Sequence, residues 1–118
     1  MTGEAAPSFD QVTAGVSNGM LEALKKLLDA TWGSLTSDER AACVHLLETI
    51  VRARFYELLG RDVSAQLRTL NVAFEQWEAL GKAVMVDGIR NVATEAFGFA
   101  GAFAGSAVAA VLKKGIGA

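Results

Sequence analysis

Ala96-Phe97-Gly98-Phe99-Ala100-Gly101-Ala102-Phe103-Ala104-Gly105-Ser106-Ala107-Val108-Ala109-Ala110-Val111-Leu112 carries no charge, and Lys113 and Lys114 follow at once. A run of this kind has to be covered by lipid, by copies of itself, or by the rest of the chain. Which of the three covers it decides the fold.

Upstream of this run the hydrophobic spacing is helical. Val63, Leu67, Leu70, Phe74 and Trp77 step by four and three, as do Met85, Ile89, Val92, Ala96, Phe99, Phe103, Ser106 and Ala110. The join from Trp77 through Gly81 to Met85 takes two steps of four, a stutter that locally unwinds a supercoil. No proline interrupts this stretch. The pattern predicts one helix over about 63–113, or two collinear helices hinged near Gly81 and Gly88. Continuous, it would extend about 75 Å at 1.5 Å per residue.

Two shorter amphipathic helices precede it. Phe9, Val12, Val16, Met20, Leu24, Leu27 and Leu28 predict a helix over about 9–30, capped by Ser8 or Asp10, with Gly15 and Gly19 weakening its first half. Thr36 and Glu39 form a capping-box pair behind Leu35 and start a second helix over about 38–59, which Gly60 ends. The expected architecture is all-α: these two helices pack on the long C-terminal one, whose apolar end is rich in alanine and glycine. Residues 1–7 read as a loose leader, 8–92 as a helical domain and 93–118 as an apolar tail. Two helices of about twenty residues cannot cover the last thirty residues of a straight third one, so an outside partner is expected there.

Composition narrows the functional classes. The 118 residues are 52% hydrophobic and 20% charged, with a formal net charge of -2. Direct nucleic-acid binding is not expected, because a phosphate backbone calls for a basic face. Cys43 is the only cysteine, so there is neither an intrachain disulfide nor a cysteine-based metal cluster. The N-terminus lacks the apolar segment of a secretory signal, which places synthesis in the cytoplasm.

The apolar tail has three possible environments. As a membrane segment it is short, about 25 Å of helix against a core of roughly 30 Å. The Gly101/Gly105 pair is of the small-xxx-small type that lets helices approach closely in lipid. As an assembly helix it keeps its heptad phase from Met85 to Ala110, and glycine and alanine on the seam allow close contact. As an intrachain element it would fold back on the first two helices. The expected oligomer or membrane contacts are Met85, Ile89, Val92, Ala96, Phe97, Phe99, Gly101, Phe103, Gly105 and Val108, with Trp32 and Trp77 as interface anchors.

No residue pattern points to catalysis. His45, the only histidine, is two residues from Cys43, and positions two apart on a helix do not face each other. Di-metal bundles need Glu-x-x-His, and position 42 is alanine. No glycine-rich phosphate loop is present. Neither a catalytic site nor a cofactor or metal is expected.

Trp32-x-x-Leu35-Thr36-x-Asp38-Glu39-Arg40, Leu58-Leu59-Gly60-Arg61-Asp62-Val63 and the Leu67–Leu80 helix together resemble small all-helical proteins of bacteriophage structural modules. The resemblance implies a virion or assembly component present in many copies, partnered by itself and by other virion or assembly proteins. The leading expectation is therefore a non-enzymatic homo-oligomeric structural protein that moves from the cytoplasm into a large assembly. Two alternatives stay open: a membrane-active pore, lysis factor or genome-delivery component inserting residues 96–112, and a helical adaptor docking its tail on a partner.

Overall fold

The computed structural model describes residues 8–97 and 107–113. These form six helices: α1 Phe9–Leu28, α2 Ala30–Ser34, α3 Ser37–Leu58, α4 Ser64–Ala79, α5 Ala83–Phe97 and α6 Ala107–Lys113. No strand occurs among the described residues, so the all-α reading holds.

Helix starts follow local chemistry. Thr36 accepts from the Glu39 amide at 3.1 Å while the Glu39 carboxylate accepts from the Thr36 amide at 2.8 Å, completing the capping box of α3. Ser8 and Gln11 make the same reciprocal pair at the start of α1. Before α4, Asp62 accepts from both the amide and the hydroxyl of Ser64, and these bonds hold its carboxyl below the usual carboxylate range.

Two helix ends are Schellman motifs. Gly60 (φ 76°) closes α3, with Arg61 N–H donating to Tyr56 C=O at 2.9 Å and Gly60 N–H to Glu57 C=O at 3.0 Å. Gly81 (φ 79°) does the same for α4, through Lys82 N–H to Trp77 C=O at 2.8 Å and Gly81 N–H to Glu78 C=O at 3.1 Å. Both glycines occupy the left-handed region that a side chain disfavours.

The second of these turns corrects the expected architecture. The heptad stutter marks a reversal of the chain rather than a long or collinear helix. Past Gly81, α5 runs back along α4, which puts the Arg90 guanidinium 4.7 Å from the Phe74 ring centroid and within 3.8 Å of Glu78. Gly88 is no hinge either. It lies inside α5 where α1 crosses, and a Cβ there would stand 3.1 Å from Leu24 Cδ1 and from Leu28 Cδ2. Here glycine lets the two helices approach closely, and a larger residue would need the Leu24 and Leu28 side chains to give way by a few tenths of an ångström.

The result is an up-down-up-down bundle of α1, α3, α4 and α5, each packed on its two neighbours in the ring. The ends meet as antiparallel order requires. Asp10 at the start of α1 pairs with Arg52 near the end of α3 at 2.9 Å, and Glu39 at the start of α3 pairs with Lys82 in the α4–α5 turn. Leu24, Leu47, Ile50, Leu70, Phe74 and Ile89 form the centre of the core.

Helix α6 packs against α3, α4 and α5. Val108, Ala109, Val111 and Leu112 are buried there, so part of the apolar tail is core of its own chain. The expected boundary at residue 92 falls inside α5, which continues to Phe97. Helices one and two need not cover a 75 Å rod, because the chain folds the rod in two. The loose leader of residues 1–7 lies outside the described residues.

Candidate interaction surface

Helix α1 buries Thr13, Ser17, Met20, Leu24 and Leu28, a stripe stepping by four, three, four and four. Two of these are hydroxyl side chains. Each is satisfied within its own helix, Thr13 Oγ1 donating to Asp10 C=O at 3.0 Å and Ser17 Oγ to Ala14 C=O at 3.2 Å. They can therefore enter the core without leaving a polar group unpaired.

The apolar residues Val12 and Leu27, expected on the core face, stand outside it. They are 41% and 53% exposed, and Val16 is half-buried between them. With Gly19 and Ala23 they make a second stripe, 12-16-19-23-27, about a quarter-turn round the helix from the buried one. Gln11, Asn18, Glu22 and Lys25 take the opposite flank. The outward side of α1 is thus divided into an apolar half and a polar half.

The apolar half forms one wall of an open groove whose other wall is α5. Gly15, Val16, Gly19, Met20, Ala23 and Leu27 line it from α1, and Asn91, Val92, Glu95 and Ala96 from α5. Lys26 stands on the α1 rim and Glu95 on the α5 rim. At the N-terminal end the stripe meets a second apolar depression formed by Phe9, Val12, Phe55, Leu58 and Leu59. Leu58 and Leu59 are 58% and 64% exposed. Beneath them Phe9 stacks on Tyr56 at 5.1 Å and meets Phe55 edge-on at 6.2 Å. Arg52 lies 5.7 Å from the Phe9 ring centroid and donates to Asp10, whose hydrogen bond holds the guanidinium further toward its charged form.

The structure redistributes the expected contact residues. Met85, Ile89, Val92 and Val108 are buried inside the chain, because the heptad seam that suggested a partner helix is met by α1, α3, α4 and α6. Ala96 is exposed in the groove wall. Phe97 ends α5. Phe99, Gly101, Phe103 and Gly105 lie outside the described residues. Trp32 is half-buried, with Lys25 and Arg40 each 5.8 Å from its ring centroid, and Trp77 packs on the core. The outer stripe of α1 was missed because its valines and Leu27 were assigned to the core; the four-residue spacing of Gly15, Gly19 and Ala23 beside them is the signal that could have revealed it.

The chemistry of the interior is that of packing. Cys43 is fully buried and burial pushes its thiol up to about 11, whereas His45 is exposed on another side of α3. Among the described residues no group of three or more His, Cys, Asp or Glu is placed to hold a metal ion, and no helix is long and apolar enough to cross a membrane. No family model, curated protein or solved structure matches the chain.

Proposed function

We propose that this chain is a non-enzymatic structural protein that works by packing against copies of itself in a larger assembly. The observation that carries the reading is the division of the outer side of α1. One half presents Val12, Leu27 and two unfilled glycine positions to solvent, continuous with Leu58 and Leu59. Large apolar side chains scattered singly on a surface need no explanation, whereas a contiguous set bordering a groove marks a contact. The likeness of the Trp32–Leu80 stretch to phage structural-module proteins supports the same reading, that of a component present in many copies of a virion or comparable assembly.

In this reading the whole bundle is the packing unit. The apolar C-terminal run contributes Val108, Val111 and Leu112 to the core of each subunit, and the subunits meet through the face that α1 leaves uncovered. Sedimentation velocity over a concentration series tests it. The expected result is a mass that rises from the 12.4 kDa of one chain to a defined multiple. A sedimentation coefficient that stays monomeric into the hundred-micromolar range would remove self-association as the function.

A further inference from the structure

We propose that Asn18–Gly19 is a site of spontaneous backbone modification controlled by the opening of α1. Asn18 is the one asparagine followed by glycine; Asn71 and Asn91 both precede valine. In such a pair the Gly19 amide nitrogen, once it has lost its proton to water, attacks Asn18 Cγ. The new C–N bond closes a five-membered imide, and the Cγ–Nδ2 bond breaks as Nδ2 takes up protons and leaves as ammonia. Water then opens the ring at either carbonyl, leaving aspartate or isoaspartate at position 18. One water enters, one ammonia leaves, and nothing is oxidised or reduced. Glycine leaves the attacking nitrogen unhindered, whereas the branched Cβ of a following valine crowds it.

The structure supplies both the access and the gate. Asn18 and Gly19 are exposed, and nothing described stands within 4 Å of the Cβ position at Gly15 or Gly19, so water reaches the pair. Both residues lie inside α1, Phe9–Leu28. There the Gly19 N–H donates to the Gly15 carbonyl four residues back, and a helical ψ of about −42° at Asn18 turns the Gly19 nitrogen away from Cγ. Ring closure needs that bond broken and that angle rotated, which a local opening of the helix allows. The guarding bond joins two glycines, the poorest helix formers after proline. Isoaspartate adds a methylene to the main chain. A brief opening thereby becomes a permanent break in the helical register of α1, just before the buried Met20, Leu24 and Leu28.

Peptide mapping by mass spectrometry tests both parts, on the full chain incubated at neutral pH with and without guanidinium chloride. The expected products are aspartate and isoaspartate at position 18, with Asn71 and Asn91 intact over the same interval. They should form on the order of a hundredfold faster in denaturant, because the folded chain reacts only in its open fraction. Gly15→Ala strengthens the guarding turn at a position with open space for its Cβ. It should slow the reaction in buffer about fivefold and leave the rate in denaturant unchanged. No product at position 18 in denaturant overturns the site. Aspartate without isoaspartate overturns the imide route. Equal rates with and without denaturant, or a Gly15→Ala rate in buffer that matches wild type, overturn control by α1.

Discussion

Glu57 and Ala107 are fifty residues apart and share a hydrogen bond: the Glu57 carboxylate accepts from the Ala107 backbone amide at 2.8 Å. The other Glu57 oxygen faces the Arg54 guanidinium at 3.3 Å, with Arg54 at 7% side-chain exposure. One carboxylate on α3 thereby serves a buried cation and the first amide of α6. Helix α6 is too short to hold itself, since isolated helices well below about 12 residues are marginal in water. It depends on this bond and on the burial of Val108, Val111 and Leu112.

Replacing Glu57 by alanine should therefore loosen α6 first. A charge-assisted hydrogen bond of this kind contributes about 1.5–3 kcal/mol, and the acid facing Arg54 goes with it. Hydrogen exchange should show faster exchange of the α6 amides in Glu57→Ala, with the amides of α1 and α3 changed much less. Equal acceleration in all helices would mean that α6 has no separate anchor.

Gly81 allows α5 to turn back along α4. With φ at 79°, any L side chain is strained there, so Gly81→Ala should cost about 1 kcal/mol in urea unfolding. Gly33→Ala is the control, as its backbone has no positive φ and its Cβ position is open. It should be neutral or slightly stabilising. Similar losses at both positions would show that the left-handed turn is not what the glycine supplies.

Arg90 is 2% exposed, and its Nε and Nη1 have no hydrogen-bond partner among the described residues. Its compensation is the Phe74 ring and a carboxylate at 3.8 Å whose own side chain is 42% exposed. Desolvating a guanidinium with incomplete pairing generally costs more than it returns. Arg90→Met, similar in volume and free of charge, should raise stability by about 1 kcal/mol or more, read as a higher melting temperature. A lower melting temperature would mean that the stacking on Phe74 outweighs desolvation.

Cys43 links stability to alkaline pH. Burial raises its thiol from 9.0 to about 11, so between these values the unfolded chain releases a proton that the folded chain retains. The unfolded state then binds fewer protons, and stability falls as pH rises, with a slope approaching 1.4 kcal/mol per pH unit from this group. Below pH 9 the contribution is fully present. Urea titrations from pH 8 to 10.5 should show the decline in wild type and a flatter profile in Cys43→Ala, whose baseline is lowered by the cavity. Parallel profiles would place the alkaline sensitivity on other groups.

Local chemistry was legible in the sequence alone. The Thr36–Glu39 box, the Gly60 stop and the all-helical spacing involve residues within a turn or two of one another, and their geometry follows from neighbours along the chain. The stutter at Gly81 was visible too, but a glycine with a phase shift is compatible with a bend, a hinge or a reversal.

Only the tertiary structure decided among these, because the choice depends on what α5 gains by lying against α1 and α4. The same holds for α1. Its hydrophobic residues span two adjacent stripes, and a periodicity of 3.6 cannot say which stripe faces inward. The decision rests on Gly88, which lets α5 approach Leu24 and Leu28, and on the hydroxyls of Thr13 and Ser17, which satisfy themselves and can be buried. Burial of Thr13, Ser17, Met20, Leu24 and Leu28 turns Val12 and Leu27 to the outside, where none of the described residues buries them.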